Sequence, residues 1–243
     1  MTETQTLPKQ EKKHLKKGVS IIIPAGGKGT RFGEDKQLFE LNKKPIVQRT
    51  IEVFANLPLV DQIIVVTNEE RKEQILSWDI NFNLDFAIDG KERYNSVYNG
   101  LREVKYAVVG IHDGVRCLVT EKIIMDCLMC ILNNDADAVF PAIKPVDTIR
   151  AIVGENKYFT PDRNTLLAVQ TPQVFKTEII LDLFNKFFEN PTNITDDISL
   201  VELYGKEYVI THVLGDPSNI KITTPFDIQI AETILKKRGE LIE

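Results

Sequence analysis

Short apolar runs that alternate with amphipathic stretches constrain this chain most. "VSIIIPA" (19–25), "QIIVVTN" (62–68), "LDFAID" (84–89) and "YAVVGIHD" (106–113) read as strands, and the second and fourth are apolar on both faces, as buried parallel strands are. Between them, 45–57, 69–78 and 92–104 carry helical spacing. In the first of these, Ile46, Thr50, Ile51, Phe54 and Leu57 share one side, and Pro45 suits the first turn. That alternation implies right-handed crossovers and an α/β fold, a mostly parallel sheet with helices on both faces. The rhythm breaks after "DADAVFPAI" (135–143). From about 144 to 175 the sequence offers only short β-like pieces, which predict a projecting β-arm. Helices resume at 176–190 and 195–205, a strand follows at 208–215, and Thr224, Pro225 and Asp227 open a last helix. Residues 1–17 form a basic segment expected to be a disordered tail, and 18–243 read as one domain.

Composition narrows the function. The net charge is -5 over 243 residues, so no nucleic-acid partner is expected, and a phosphate ligand must be held by a few placed cations. No apolar run reaches the ~18 residues of a membrane span, and no secretory h-region is seen. A cytoplasmic protein without a membrane partner is therefore expected. Cys127 and Cys130 form a C-x-x-C inside an apolar helical stretch, where buried thiols are expected rather than zinc or a redox pair.

Ligands of open parallel sheets bind beyond the C-terminal strand ends. The first such end, "PAGGKGTRFGEDKQ", offers Ala25, Gly26, Gly27 and Gly29 as a backbone cradle for an anion, followed by Arg31 and Lys36. The dinucleotide fingerprint fails because Phe32 stands where its third glycine belongs, and no G-K-[ST] follows for a phosphate-loop NTPase. Cations after the glycines suit charge that grows on a phosphoryl group during reaction. A second end brings Gly90 and Ser96. The third, "IHDGVR", presents Asp113 as an oxygen ligand for Mg²⁺, with His112 expected to be structural. Lys221 precedes the last helix, and Arg163 lies on the arm.

Together "PAGGKGTRFGEDKQLFELNKKPIV", "HDGVR", "PVDTI", "DRNTLLAVQTPQVF", "TDDISLVE" and "NIKITTPFDI" resemble the 2-C-methyl-D-erythritol 4-phosphate cytidylyltransferases of non-mevalonate isoprenoid biosynthesis, over about residues 18 to 238. The resemblance implies a Rossmann-like nucleotidyltransferase fold in which an acceptor phosphate attacks the α-phosphorus of CTP and expels pyrophosphate. It implies that Ala25, Gly26, Gly27 and Gly29 hold the triphosphate, that Gly90 and Ser96 meet cytosine and ribose, and that Arg31, Lys36, Arg163 and Lys221 are catalytic. Asp113 would bind Mg²⁺ or another divalent cation. Asp113, Gly114, Thr148, Thr171 and Thr195 would meet the acceptor, with Thr148 and Arg163 coming from a partner's exchanged arm in a homodimer. Four positions depart from the family pattern: Asp35 replaces a proline before Lys36, Gly114 and Cys117 replace alanine and proline, and Lys91 stands where a smaller or acidic residue is common. A ribitol 5-phosphate cytidylyltransferase is the nearest alternative, and a non-catalytic nucleotide-binding module is the alternative of another class.

Overall fold

The structure is a computed structural model that describes residues 14–27, 32 and 35–241. Its first half runs β1 (Lys16–Pro24), the short β2 (Glu40–Leu41) and β3 (Lys44–Pro45), α1 (Ile46–Ala55), β4 (Gln62–Thr67), α2 (Glu69–Leu76), β5 (Leu84–Ile88), α3 (Arg93–Glu103) and β6 (Tyr106–Ile111). The second half continues with α4 (Glu121–Leu132), β7 (Ala138–Ile143), β8 (Ala151–Gly154), β9 (Lys157–Phe159), β10 (Ala168–Val169) and β11 (Gln173–Lys176). It ends with α5 (Thr177–Glu189), α6 (Ile198–Tyr204), β12 (Ile210–Leu214) and α7 (Pro225–Arg238).

Eight strands form one sheet in the order β5-β4-β1-β6-β11-β7-β12, with β10 also beside β7. The expected parallel arrangement is present: β4 with β1, β1 with β6, β4 with β5 and β7 with β12 are all parallel pairs. Alternation along β1 divides the core into two layers. Val19, Ile21 and Ile23 pack with α1 and α4 residues such as Val47, Phe54 and Leu128. Ile22 faces the other layer, with Leu101 of α3, Phe184 of α5 and Val201 of α6. Cys127 lies in the first layer as a buried free thiol, and Cys130 is half-buried against it, which agrees with the apolar-helix reading.

Two expectations need correction. β1 begins at Lys16, which pairs with Tyr106, so the segment expected as tail contributes its last two residues to the sheet; residues 1–13 lie outside the described residues. The arm also ends earlier than residue 175. β10 and β11 return to the sheet, where β11 lies antiparallel between β6 and β7. Val174 and Phe175 are fully buried there, and no strand lying outside the sheet could bury them. Within the arm, β8 and β9 pair with each other and stand apart from the sheet.

Candidate functional site

Parallel β1, β4, β5 and β6 end on one edge of the sheet, and antiparallel β11 starts there because Gln173 pairs with Ile111. Four segments therefore meet at that edge: Ala25–Gly27, Asp89–Gly90, His112–Arg116 and Thr171. The loop of residues 219–222 joins them, since the Ile222 N–H donates to Val115 O at 3.0 Å. These contacts explain how residues more than a hundred positions apart in the chain share one site.

In the glycine loop, the Ala25 N–H donates to Val66 O at 2.8 Å. A side chain at Gly26 would come within 2.4 Å of the Asp89 carboxylate, whereas Gly27 faces open space. Residues 28–31, 33 and 34 lie outside the described residues, and with them the expectations for Gly29 and Arg31. Lys36 is half-buried in the turn that closes the loop. The turn is anchored by Asp35, whose carboxylate accepts the Gln37 N–H at 3.1 Å and pairs with Arg71 at 2.6 Å. At the second strand end, the Gly90 N–H donates to Ser96 Oγ at 2.9 Å. Ser96 is buried, and its hydroxyl thereby shapes the Gly90 turn.

Asp113 is the centre of the arrangement. It is 8% exposed and faces three cations: Lys221 Nζ at 2.9 Å, Arg93 Nε at 3.5 Å and Arg116 Nε at 3.6 Å. Burial alone would raise the pKa of the Asp113 carboxyl, but the charges of Arg93, Lys221 and Arg116 hold it well below the usual carboxylate range. Arg93 also forks onto both oxygens of buried Asp197, at 3.0 and 2.8 Å. Burial works against the Arg93 charge, and the neighbouring Asp197 and Asp113 outweigh it and keep the guanidinium protonated. Asp197 is itself held in place by Gln173, whose side-chain oxygen accepts its N–H at 3.0 Å.

His112 secures the same turn from beneath. It is fully buried, and its Nε2 lies 3.1 Å from Arg116 O. A carbonyl only accepts, so Nε2 carries the proton and Nδ1 is the acceptor. The Thr171 hydroxyl, 3.0 Å away, donates to Nδ1 while accepting the Asp113 N–H at 3.2 Å. Burial lowers the His112 pKa to about 4, so the ring is neutral and structural, as expected. Thr171 is buried within this relay and orders the backbone of Asp113. Gly114 sits against Gln37: a Cβ there would lie 2.8 Å from Gln37 Oε1. Burial pushes the neighbouring Cys117 thiol up to about 12, which makes it a poor nucleophile.

Asp113, the residue expected to bind Mg²⁺, is ringed by cations in this structure. Both carboxylate oxygens face cations, and among the described residues no group of three or more His, Cys, Asp or Glu side chains could hold a metal ion. Asp113 is the counter-ion that gathers Lys221, Arg93 and Arg116. Thr148 and Arg163 are exposed on the arm, and among the described residues neither side chain bonds to this cluster. Thr195 is exposed at the start of the segment leading to α6, 3.4 Å from Ser199 Oγ. Sequence reasoning passed over Arg93, Arg116, Asp197 and Arg71 as site residues. "TDDIS" did carry a signal for Asp197, a carboxylate directly before an apolar helix.

The family model described as "IspD: 2-C-methyl-D-erythritol 4-phosphate cytidylyltransferase" matches residues 19–237. The chain belongs to this cytidylyltransferase family. A Clostridium botulinum (strain Eklund 17B / Type B) protein of that name is 40% identical over 229 residues, which cover 90% of this chain and 100% of the relative. Its Clostridioides difficile (strain 630) counterpart is 39% identical over 91% of this chain and 96% of its own length. Among solved structures, the 4-diphosphocytidyl-2C-methyl-D-erythritol synthase of Anaerococcus prevotii aligns with a TM-score of 0.81 at 28% identity, covering 90% of this chain and 99% of the other. The Francisella tularensis cytidylyltransferase aligns with a TM-score of 0.75 at 27% identity, covering 89% and 99%. Similarity therefore spans the sheet, the arm and the edge where the Asp113 cluster sits.

Proposed function

We propose that this protein transfers the cytidylyl group of CTP to 2-C-methyl-D-erythritol 4-phosphate, giving 4-diphosphocytidyl-2-C-methyl-D-erythritol and pyrophosphate for isoprenoid precursor synthesis. The observation that carries the reading is the gathering of Lys221, Arg93 and Arg116 around Asp113 beside a glycine loop, in a chain of this family. An oxygen of the acceptor phosphate forms the new bond to the α-phosphorus, the α–β bridging P–O bond breaks, and pyrophosphate leaves with its electron pair. The nucleophile is already ionised, so no general base is required, in keeping with a neutral, buried His112. Catalysis then lies in bringing two polyanions together and stabilising charge on the transferring phosphoryl group.

Ala25, Gly26, Gly27 and Gly29 cradle the triphosphate, and Gly90 with Ser96 borders the nucleoside. Lys36 and Arg31 neutralise charge at the α-phosphorus and the leaving group. Lys221 and Arg116, gathered by Asp113, receive the acceptor phosphate beside Gly114 and Thr195. Asp113 would hold a divalent cation beside the bound CTP, where it would supply Lewis-acid stabilisation of the phosphate charge. Thr148 and Arg163 reach the acceptor of a partner subunit from an exchanged arm. The arm's surface supports this: Val146 is 86% exposed and Ile152 79%, and Val153, Tyr158 and Phe159 are also uncovered. A two-stranded hairpin is marginal alone in water, and a second copy would bury these side chains. A cytoplasmic setting is proposed with this pathway; no helix among the described residues is long and apolar enough to cross a membrane.

Pyrophosphate release from CTP, followed with each acceptor in turn, tests the reading. Release that requires 2-C-methyl-D-erythritol 4-phosphate is expected. Release with ribitol 5-phosphate alone would overturn the substrate assignment, and no release with either would overturn the activity.

A further inference from the structure

The residue before Lys36 is Asp35, and the structure gives it a partner on another element. Arg71 is only 4% exposed although it sits in the first turn of α2. A cation fits poorly at that position, where the helix dipole favours Glu69 and Glu70, and a buried guanidinium is costly unless paired. Its contacts account for its presence. Nη2 and Nε donate to Asp35 Oδ2 at 2.6 and 3.2 Å, while Nη1 donates to Ala25 O and to Thr67 Oγ1, the latter at 3.1 Å. Ala25 enters the glycine loop and Asp35 leaves it, so one guanidinium spans both stems. The second Asp35 oxygen accepts the Gln37 N–H, which places Lys36 between two fixed residues.

We infer that Arg71 and Asp35 form a latch that fixes the ends of the CTP loop before nucleotide arrives, making Arg71 a positioning residue for Lys36. A glycine-rich loop loses much backbone freedom on ordering, and a loop closed in advance loses less when the triphosphate binds. Arg71 also neutralises Asp35, whose charge would otherwise repel the incoming phosphates. A lysine cannot replace the fork, because one ammonium cannot meet both stems with the same planar geometry.

This inference rests on the proposed role of the glycine loop, and steady-state kinetics on the purified enzyme tests the two separately. In Arg71→Met, kcat/KM for CTP should fall about a hundredfold, since a misplacement near 1 Å costs roughly that much. KM for the acceptor should stay within about twofold, because the Asp113 cluster does not touch Arg71. Asp35→Asn, at a half-exposed site that leaves folding intact, should show the same CTP-selective loss at smaller size. The double variant should be no worse than Arg71→Met, and Arg71→Lys should not restore activity. Wild-type kinetics in folded Asp35→Asn and Arg71→Met, additive losses, or an equal rise in both KM values would each overturn the latch. Lys36→Ala in the same assay keeps the readings apart: if it is inactive while Arg71→Met behaves as wild type, only the latch fails. If Lys36→Ala itself behaves as wild type, the assignment of the loop fails.

Discussion

At the scale of single residues, Asp113 and His112 show how neighbouring groups acquire different duties from their surroundings. Both are buried, yet Asp113 is charged because three cations surround it, and His112 is neutral because burial penalises its charged form. The neutral histidine has a measurable consequence. Its pKa is lowered from 6.5 to about 4, so between those values the unfolded chain holds a proton that the native protein does not. Stability from this group is complete above pH 6.5 and is lost as the pH falls toward 4, with a slope of at most about 1.4 kcal/mol per pH unit. Denaturant midpoints measured across that window should rise with pH more steeply in wild type than in His112→Gln. Comparing the two removes the contribution of nearby carboxylates, and equal slopes would show that the ring is protonated in the native state. The sequence placed His112 and Asp113 at a strand end correctly. It could not show what surrounds Asp113, because Arg93, Asp197 and Lys221 come from distant segments.

At the scale of elements, periodicity conveyed most of the sheet and its helices, since β1, β4 and β6 are buried runs whose neighbours have clear apolar faces. The arm was harder. β10 and β11 are short and antiparallel, and nothing local distinguishes "QVFK" in the sheet from "KYF" outside it; only pairing with β6 and β7 does. Close packing of α3 was equally invisible. Gly100 is a mid-helix glycine, which weakens a helix relative to alanine by up to about 1 kcal/mol. Its position is explained by the sheet: a Cβ would lie 2.8 Å from Ile22 Cγ2 and 2.9 Å from Val66 Cγ2. Those atoms belong to fully buried side chains of two adjacent central strands and have little room to retreat. Overpacking costs of about 1–3 kcal/mol should exceed the gain in helix propensity, so Gly100→Ala should lower the thermal midpoint. A raised midpoint would mean that α3 can move away from the sheet.

At the scale of the whole molecule, one chain carries the Asp113 cluster and the loop, yet its arm projects with apolar side chains uncovered and Arg163 exposed. Those two facts meet if each arm completes the site of a second copy. Arg163→Ala and Lys36→Ala subunits should each be inactive as homodimers. In a heterodimer, the subunit that retains Lys36 receives the partner's intact arm, so one of the two sites is whole. The other site carries both lesions. Random reassortment of equal amounts makes half of all dimers mixed, so activity should recover to about a quarter of wild type, with one restored site per mixed dimer. If Arg163 served its own subunit, every site in the mixed dimer would carry one lesion and nothing would recover. Mixing after mild unfolding and refolding, with sedimentation to establish that dimers have re-formed, makes the measurement decisive: activity near a quarter requires an exchanged arm, and dimers without activity exclude it.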